Sequence, residues 1–388
     1  MRVTIIFIAL IWAFITVGQG SLKEVFLQSK MDGQKILPDG TEIEFWGYGI
    51  ENQQTGLAKI SLPGPILRFD LGDTVRIQLR NTSPEAHTIH WHGLDVEQAN
   101  DGVGHTSNNV IPNDLFIYEF VCTHSGTYMY HCHVLTPLHL AMGMSGLFIV
   151  NGEEEQFLYD ATSKFTKEFS FLFSEMNVSW NENPLSPGPF ALYESDFLMV
   201  NGMSDLEAEF SDNEVIGTEN DTLAFRLANI GYGSVEVNFP DELLVTAIAS
   251  DGRIIPALET GGIVLYPGER YDFIALPLEP FVGNILVNYF DLRNNNLLGS
   301  NNIPITITST VGLNGFNLAD GNIYPNPFST SIFIESDAYP KIVEISNFSG
   351  EIVRKLHIQS AGEIDLQTLE SGVYTLRIGD KIHKIIKL

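Results

Sequence analysis

The sequence predicts an all-β protein: two successive Greek-key β-sandwich or barrel domains followed by a small C-terminal β-sandwich. Three observations carry this expectation. Short segments rich in β-branched and aromatic residues recur along the chain, among them EIEFWGYGI, TVRIQLRN, FIYEFVC, GTYMYHCHV, GLFIVNG, TLAFRLANIG, LLVTAIASDG and RYDFIALPL, separated by Gly, Pro, Asn and Asp. No long stretch of 3.6-residue apolar period competes with them. At 388 residues, 44% apolar and 18% charged, the chain is long enough for two or three domains with their own cores. The strand spacing implies antiparallel sandwiches or barrels of about 100–150 residues each.

Residues 1–20 read as a secretory signal peptide. Arg2 precedes an apolar run from Val3 to Val17 broken only by threonines, and the small residues Gly18 and Gly20 stand before Ser21. The run is short for a membrane anchor, and no later segment reaches the length a bilayer needs. The first sandwich is expected over 21–151, ending where FIVNGEEEQ turns acidic, and the second over 152–308, opening with KEFSFLF. The polar, Gly/Asn-rich residues 309–321 read as a linker, and 322–388 as a separate tail.

The formal charge of -27 excludes a nucleic-acid partner, since phosphate binding relies on Lys and Arg, of which the chain has 21. That acidity belongs to the two larger domains, because residues 322–388 carry 7 Lys and Arg against 8 Asp and Glu. Export permits disulfides, yet the only cysteines are Cys122 and Cys132, ten residues apart in segments that read as strand and turn. A bridge between them is geometrically poor, and metal ligation is another use for a thiol.

Eight of the ten histidines lie between His87 and His139, and the second domain has none. They form two clusters, HTIHWHG with His87, His90 and His92, and HCHVLTPLH with His131, Cys132, His133 and His139. Side chains alternate faces along a strand, so His90 and His92 share one face with His87 on the other. By the same rule His131 and His133 share a face and Cys132 points away. If the two segments are neighbouring strands, four histidines converge on one side and Cys132 with His87 on the opposite side, which predicts two separate metal sites. Neutral imidazoles, a thiolate and a weak axial thioether are what a blue-copper (type 1) centre requires. His87, Cys132 and His139 are the expected equatorial ligands and Met144 the axial one, with Met142 as its alternative. The face of His90, His92, His131 and His133 suits imidazole-bound copper open to a small oxidant.

HWHG, HCH and the downstream His and Gly-Met resemble the multicopper oxidases, and PGPILRFDLGDTVRIQLRN, GTYMYHCH, GMSGLFIV, MVNG and ASDGRIIP…LYPGERYDFIAL resemble the framework of that family over residues 40–310. The resemblance implies cupredoxin-like domains and an oxidoreductase that takes electrons from a small-molecule or metal-ion donor at the type 1 copper. It passes them through His131 and His133 to a type 2/type 3-like copper site, with oxygen as acceptor. Asp101, nine residues after His92, matches the acid that the family keeps beside that cluster to move protons; the other reading is a turn residue before Gly102. His105 reads as a solvated loop residue or supplementary ligand, His124 as structural, and Cys122 as a buried thiol.

Two departures from the family pattern bear on function. The H-x-x-H-x-H spacing of His87, His90 and His92 is usual in the family's last domain, so the first domain here carries the blue-copper ligands, as in two-domain multicopper oxidases and copper nitrite reductases. The reductases have an Asp where His90 stands and no His where His133 stands. The family cluster also uses eight histidines from two domains and only four are matched, which leaves open an oligomer such as a trimer, help from His105 and His124, or fewer coppers. The alternatives to an oxidase are therefore a nitrite-reducing enzyme of the same fold and a non-catalytic blue-copper carrier.

The tail resembles the C-terminal sorting domain of the type IX secretion system through Tyr324-Pro325-Asn326-Pro327, the Asn347–Gly350 turn, Gly372-Val373-Tyr374 and the closing Lys384–Lys387. The resemblance implies delivery across the outer membrane by that machinery, to the cell surface or the medium.

Overall fold

The alternation read in TVRIQLRN is reproduced residue by residue: Val75, Ile77 and Leu79 are fully buried, and the residues between them face outward. The computed structural model describes residues 20–154, 156–309, 323–326, 328–334, 341–347, 352–369, 371–378 and 381–387. The signal peptide expected over 1–20, apart from Gly20, and the linker expected over 309–321, apart from Ser309, lie outside the described residues, as does most of the Asn347–Gly350 turn. The chain divides into two compact units, 1–309 and 310–388.

In the larger unit the strands come in chain order as β1 (Leu22–Ile36), β2 (Glu42–Asn52), β3 (Leu57–Ala58), β4 (Leu67–Asp70), β5 (Thr74–Asn81), β6 (His90–His92), β7 (Leu115–Val121), β8 (Gly126–His131) and β9 (Ser145–Asn151). They make a five-stranded sheet, β3-β2-β1-β5-β7, and a four-stranded sheet, β4-β9-β8-β6. Between the two sheets lies an aromatic core. Trp91 is fully buried, with its ring 5.4 Å from Tyr118, 5.1 Å from Phe120 and 5.6 Å from Phe148.

The second sandwich continues with β10 (Lys167–Met176), β11 (Phe197–Val200), β12 (Val215–Thr218), β13 (Leu223–Asn229), β14 (Ser234–Asn238), β15 (Leu243–Ser250), β16 (Arg253–Glu259), β17 (Gly262–Leu265), β18 (Arg270–Pro277), β19 (Phe281–Phe290) and β20 (Leu297–Thr308). Its sheets run β11-β10-β13-β18-β15-β16 and β12-β20-β19-β14-β17 around a core that includes Phe173, Phe225, Phe273 and Tyr289.

The expectation of purely antiparallel sheets needs correction. β1 pairs with β5 in parallel and β4 with β9, and the same device recurs as β10 with β13 and β12 with β20. Parallel neighbours need a long crossover rather than a hairpin, so an early strand laces each sandwich to a later one. Hydrophobic alternation cannot reveal this, because it reports which face is buried and not which strand lies alongside.

The smaller unit has two sheets of its own, one of Ile323–Tyr324, Ser331–Ile334 and Gly362–Asp365, the other of Ile352–Ile358, Lys341–Ser346, Gly372–Ile378 and Lys381–Lys387. Phe328, Ile332, Val343 and Leu376 are among the residues of its separate core.

Within the larger unit, β8 decides where the two sandwiches meet. All six of its residues are buried, so both faces are covered. Tyr128 and Tyr130 point into the first core, while Met129 joins Leu147, Leu172 and Ala228 in a cluster that spans the two sandwiches. One step along the same outer face, the Thr127 hydroxyl donates to Asp272 and accepts from Arg226 Nη1 at 3.2 Å. Arg226 is fully buried, its Nε 2.9 Å from Glu168 Oε2, and Tyr159 donates to the other oxygen of Asp272 at 2.5 Å.

Removing one member of a buried charged network strands the others without compensation. Replacing Arg226 with Ala is expected to cost about 3–5 kcal/mol. Urea denaturation of the purified variant measures it, and a loss below about 1 kcal/mol would show that Glu168 and Asp272 do not depend on this guanidinium.

Candidate metal centres

Three elements bring the sulfur cluster together. Cys132 follows β8 directly, and His87 sits in a bridge to Val110, its N–H donating to the Val110 carbonyl at 3.0 Å. His139 comes from a short helix, α1 (Thr136–Ala141). Pro137 explains the helix: the first turn needs no N–H donor and proline has none. Leu135, at φ 42°, turns the chain into it. The chain then returns beside its start, with Met144 N–H donating to the His139 carbonyl at 2.9 Å and Cys132 N–H to the Met144 carbonyl at 3.1 Å.

The result is a buried constellation. Cys132 Sγ lies 3.1 Å from His139 Nδ1 and 3.7 Å from His87 Nδ1, and none of the three residues is exposed. Met144 and Met142 are both fully buried in the surrounding core; the Met142 carbonyl holds Trp46 N–H at 2.8 Å. The Nε2 atoms of His87 and His139 are buried without a hydrogen-bond partner, that of His139 lying 3.8 Å from Glu85 Oε2. Burial, reinforced by the neighbouring His139, pushes the His87 pKa down to about 3, and burial alone takes His139 to about 4. Both rings are therefore neutral near pH 7, with lone pairs available. Burial pushes the Cys132 thiol up, so the sulfur keeps its proton unless a cation displaces it, as a bound metal does.

The histidine face lies on the other side of the same strand pair. His90 stands opposite His131 and His92 opposite Met129 across β6 and β8. Hydrogen bonds to carbonyl oxygens fix two ring tautomers, because a carbonyl can only accept. His131 Nδ1 donates to the Cys132 carbonyl at 3.0 Å and His90 Nδ1 to the Asp101 carbonyl at 2.8 Å, which leaves both Nε2 atoms as free bases. His92 meets them with Nδ1, 3.4 Å from His131 Nε2. His90, His92 and His131 bring their ligand atoms within 4.8 Å of one another. His133 stands at the margin of this group, its ring stacked 6.0 Å from His131 and edge-on 5.3 Å from His90. Burial lowers the pKa of His131 to about 3 and, with Arg270 and His90 nearby, that of His92 to about 4.

Asp101 is beside this face, its Oδ1 3.2 Å from His90 Nδ1. His105 is exposed in a turn, and exposed His124 lies 3.3 Å from Asp95 Oδ2; neither belongs to a ligand group among the described residues. Cys122 is a free buried thiol whose pKa burial raises to about 12. The two thiols are not bridged.

Several contributors gave no sequence signal. The Thr88 hydroxyl accepts His133 N–H at 3.0 Å, and its carbonyl accepts Tyr48 hydroxyl at 2.6 Å, which ties the two histidine segments together. Trp46 packs edge-on to His139 at 5.2 Å. From the second sandwich, Gly268 lies so close to His92 that a methyl group there would sit 3.2 Å from Cε1. The buried Arg270 guanidinium binds Asp251 Oδ1 at 2.8 Å and the Thr127 carbonyl at 3.3 Å beside it. A sandwich without histidines thus still closes part of the histidine face.

The family model for multicopper oxidases matches residues 45–155, and that for a secretion system C-terminal sorting domain matches residues 322–388. Copper resistance protein A of Escherichia coli is 39% identical over 101 residues, 26% of this chain and 16% of that protein. L-ascorbate oxidase of Cucumis sativus is 28% identical over 268 residues, 60% of this chain and 43% of that protein. The chain thus spans less than half the length of either relative. The blue copper oxidase structure from Nitrosomonas europaea superimposes with a TM-score of 0.60 at 23% identity, over 76% of this chain and 89% of that one, which shows a shared fold.

The depressed histidine pKa values set a direction for pH dependence. An imidazole that protonates near 6.5 in the unfolded chain but only near 3 or 4 in the folded one makes the unfolded state the better proton acceptor between those values. The melting temperature of metal-free protein is expected to fall as pH drops from 6.5 towards 4. A double variant, His87→Leu with His139→Leu, should show a shallower fall, and an unchanged slope would contradict the buried neutral rings.

Proposed function

We propose that this chain is an exported copper-dependent oxidoreductase that works as a multicopper oxidase. The observation that carries the reading is the convergence of the Cys132 thiol with two Nδ1 atoms in a dry core, one residue from a histidine whose ring faces a second ligand group. Sulfur with two imidazoles suits type 1 copper, for which Met144 would supply the thioether. When bound, that copper supplies a one-electron couple tuned by its thiolate and its dry surroundings. His90, His92, His131 and His133 would hold the second, type 2/type 3-like copper site, where oxygen would be the acceptor. Asp101, at His90, delivers protons there.

The chain's own residues connect the two sites. His131 is joined to Cys132 by the peptide bond and again by the Nδ1–H bond to the Cys132 carbonyl, so two short routes lead from sulfur to ring. On the donor side, His139 Nε2 looks towards Glu85, which with Trp46, Glu44, Pro184 and Leu185 lines a pocket of about 390 Å³. A small organic or metal-ion electron donor fits this mouth, where a carboxylate can accept a proton or hold a cation.

We assign 1–20 to the signal peptide, 21–151 to the copper-binding domain, 152–308 to a copper-free cupredoxin-like domain, and 309–321 to a linker. The sorting domain at 322–388 directs the protein through the type IX machinery to the cell surface or the medium. The second sandwich contains no histidine, so a full eight-histidine cluster requires a second copy of the first domain, as a trimer or another oligomer would supply.

Metal content measured with oligomer mass and oxygen uptake tests the reading. More than one copper per chain with oxygen consumption supports it. One copper per chain, with only a blue band and no uptake, would leave an electron carrier, and nitrite consumption without oxygen uptake a nitrite-reducing enzyme. Replacing His139 with Ala should bleach the blue band while copper remains at the histidine face; loss of both together would refute the two-site division.

A further inference from the structure

We infer that export processing cuts the Gly20–Ser21 bond, and that the α-ammonium so created on Ser21 becomes the counter-ion of buried Asp73, clamping the start of β1 into the first sandwich. The inference rests on the export reading above, and starts from an unpaired charge. Asp73 is only 3% exposed. Its Oδ1 accepts the Ser21 backbone N–H at 2.8 Å and the Ser21 hydroxyl at 3.0 Å, and its Oδ2 accepts Asp70 N–H at 3.0 Å. Among the described residues no lysine, arginine or histidine forms an ion pair with it. Buried carboxylates are ordinarily paired with a cation, and here the shorter of the two hydrogen bonds to Oδ1 comes from the nitrogen that cleavage would charge.

Hydrolysis of the Gly20–Ser21 peptide bond consumes one water. Gly20 keeps the new carboxylate, and the Ser21 nitrogen becomes an amine that takes up a proton. The nitrogen does not have to move to meet Asp73, since it already lies at hydrogen-bond distance in the uncut chain. The neighbouring contacts make this end consequential. The Ser21 carbonyl accepts Thr74 N–H at 3.0 Å, and from there β1 runs in parallel register with β5, from Leu22 opposite Thr74 to Ser29 opposite Asn81. Gly20 itself admits no side chain, since a Cβ would lie 1.9 Å from the Gly72 carbonyl oxygen. A small residue before the scissile bond is also what export peptidases require.

The test has two arms. Mass spectrometry of protein recovered after export from a producing cell should give a first residue of Ser21. Full-length chains beginning at Ser21 or at Gly18 are then compared by thermal melting, each with Asp73 and with Asp73→Asn, which keeps an acceptor oxygen at the site. The chain beginning at Ser21 should melt about 2 °C or more above the one beginning at Gly18, and the difference should vanish with Asp73→Asn. Acetylating the Ser21 amine should reproduce the loss. Equal melting of the two Asp73 chains, or a cut at another bond, overturns the inference and leaves the export reading intact. Retention of residues 1–20 in the exported protein overturns both.

Discussion

The pairing of β6 with β8 is the constraint on which both clusters of candidate ligands depend. Opposing His90 to His131 puts the two imidazoles on one face, and the period of two then obliges Cys132 to face the other way, towards His87. A slip of one residue would exchange the faces and mix thiol with histidine ligands. Register is held against such a slip by contacts with no metal chemistry of their own: Trp91 against its aromatic neighbours on the inside, and Thr88 across to His133. The packing of an aromatic core thus decides which ligands meet.

Electrostatics completes what geometry begins. The sulfur cluster is dry, so its imidazoles stay neutral and its thiol holds its proton, which is a poor resting arrangement for a protein core and a suitable one for a metal site. The orphaned Nε2 atoms of His87 and His139 fit the same picture. Rings turned to present Nδ1 to sulfur have given up the chance to satisfy their other nitrogen.

Much of this was legible in the sequence because period two is a strong code and histidine is scarce. His87, His90, His92, His131, Cys132, His133 and His139 are gathered in two dense motifs, and parity sufficed to assign a face to each of them except His139, which lies beyond the strand. The strand rich in alternating Val, Ile and Leu, such as Thr74–Asn81, was equally readable. What could not be read were relations between distant segments. The parallel pairs of β1 with β5 and β4 with β9 depend on crossovers that leave no local pattern. Likewise Arg270, Gly268 and Asp251 lie more than a hundred residues from His92, in ordinary turn and strand contexts. The short helix bearing His139 was hidden by its proline, which reads as a loop signal and here sits in a first turn.

The doubly buried β8 has a consequence for inheritance. One of its faces is completed by the aromatic interior of its own sandwich, the other by Leu172, Ala228, Arg226 and Asp272 of the next. The ligand-bearing half is therefore not a module that could be transplanted alone. Cut free, it would present Met129, Leu147 and a partly uncovered histidine row to water. The histidine-free sandwich persists as the lid that its neighbour's chemistry cannot do without, and the heritable piece is the couple.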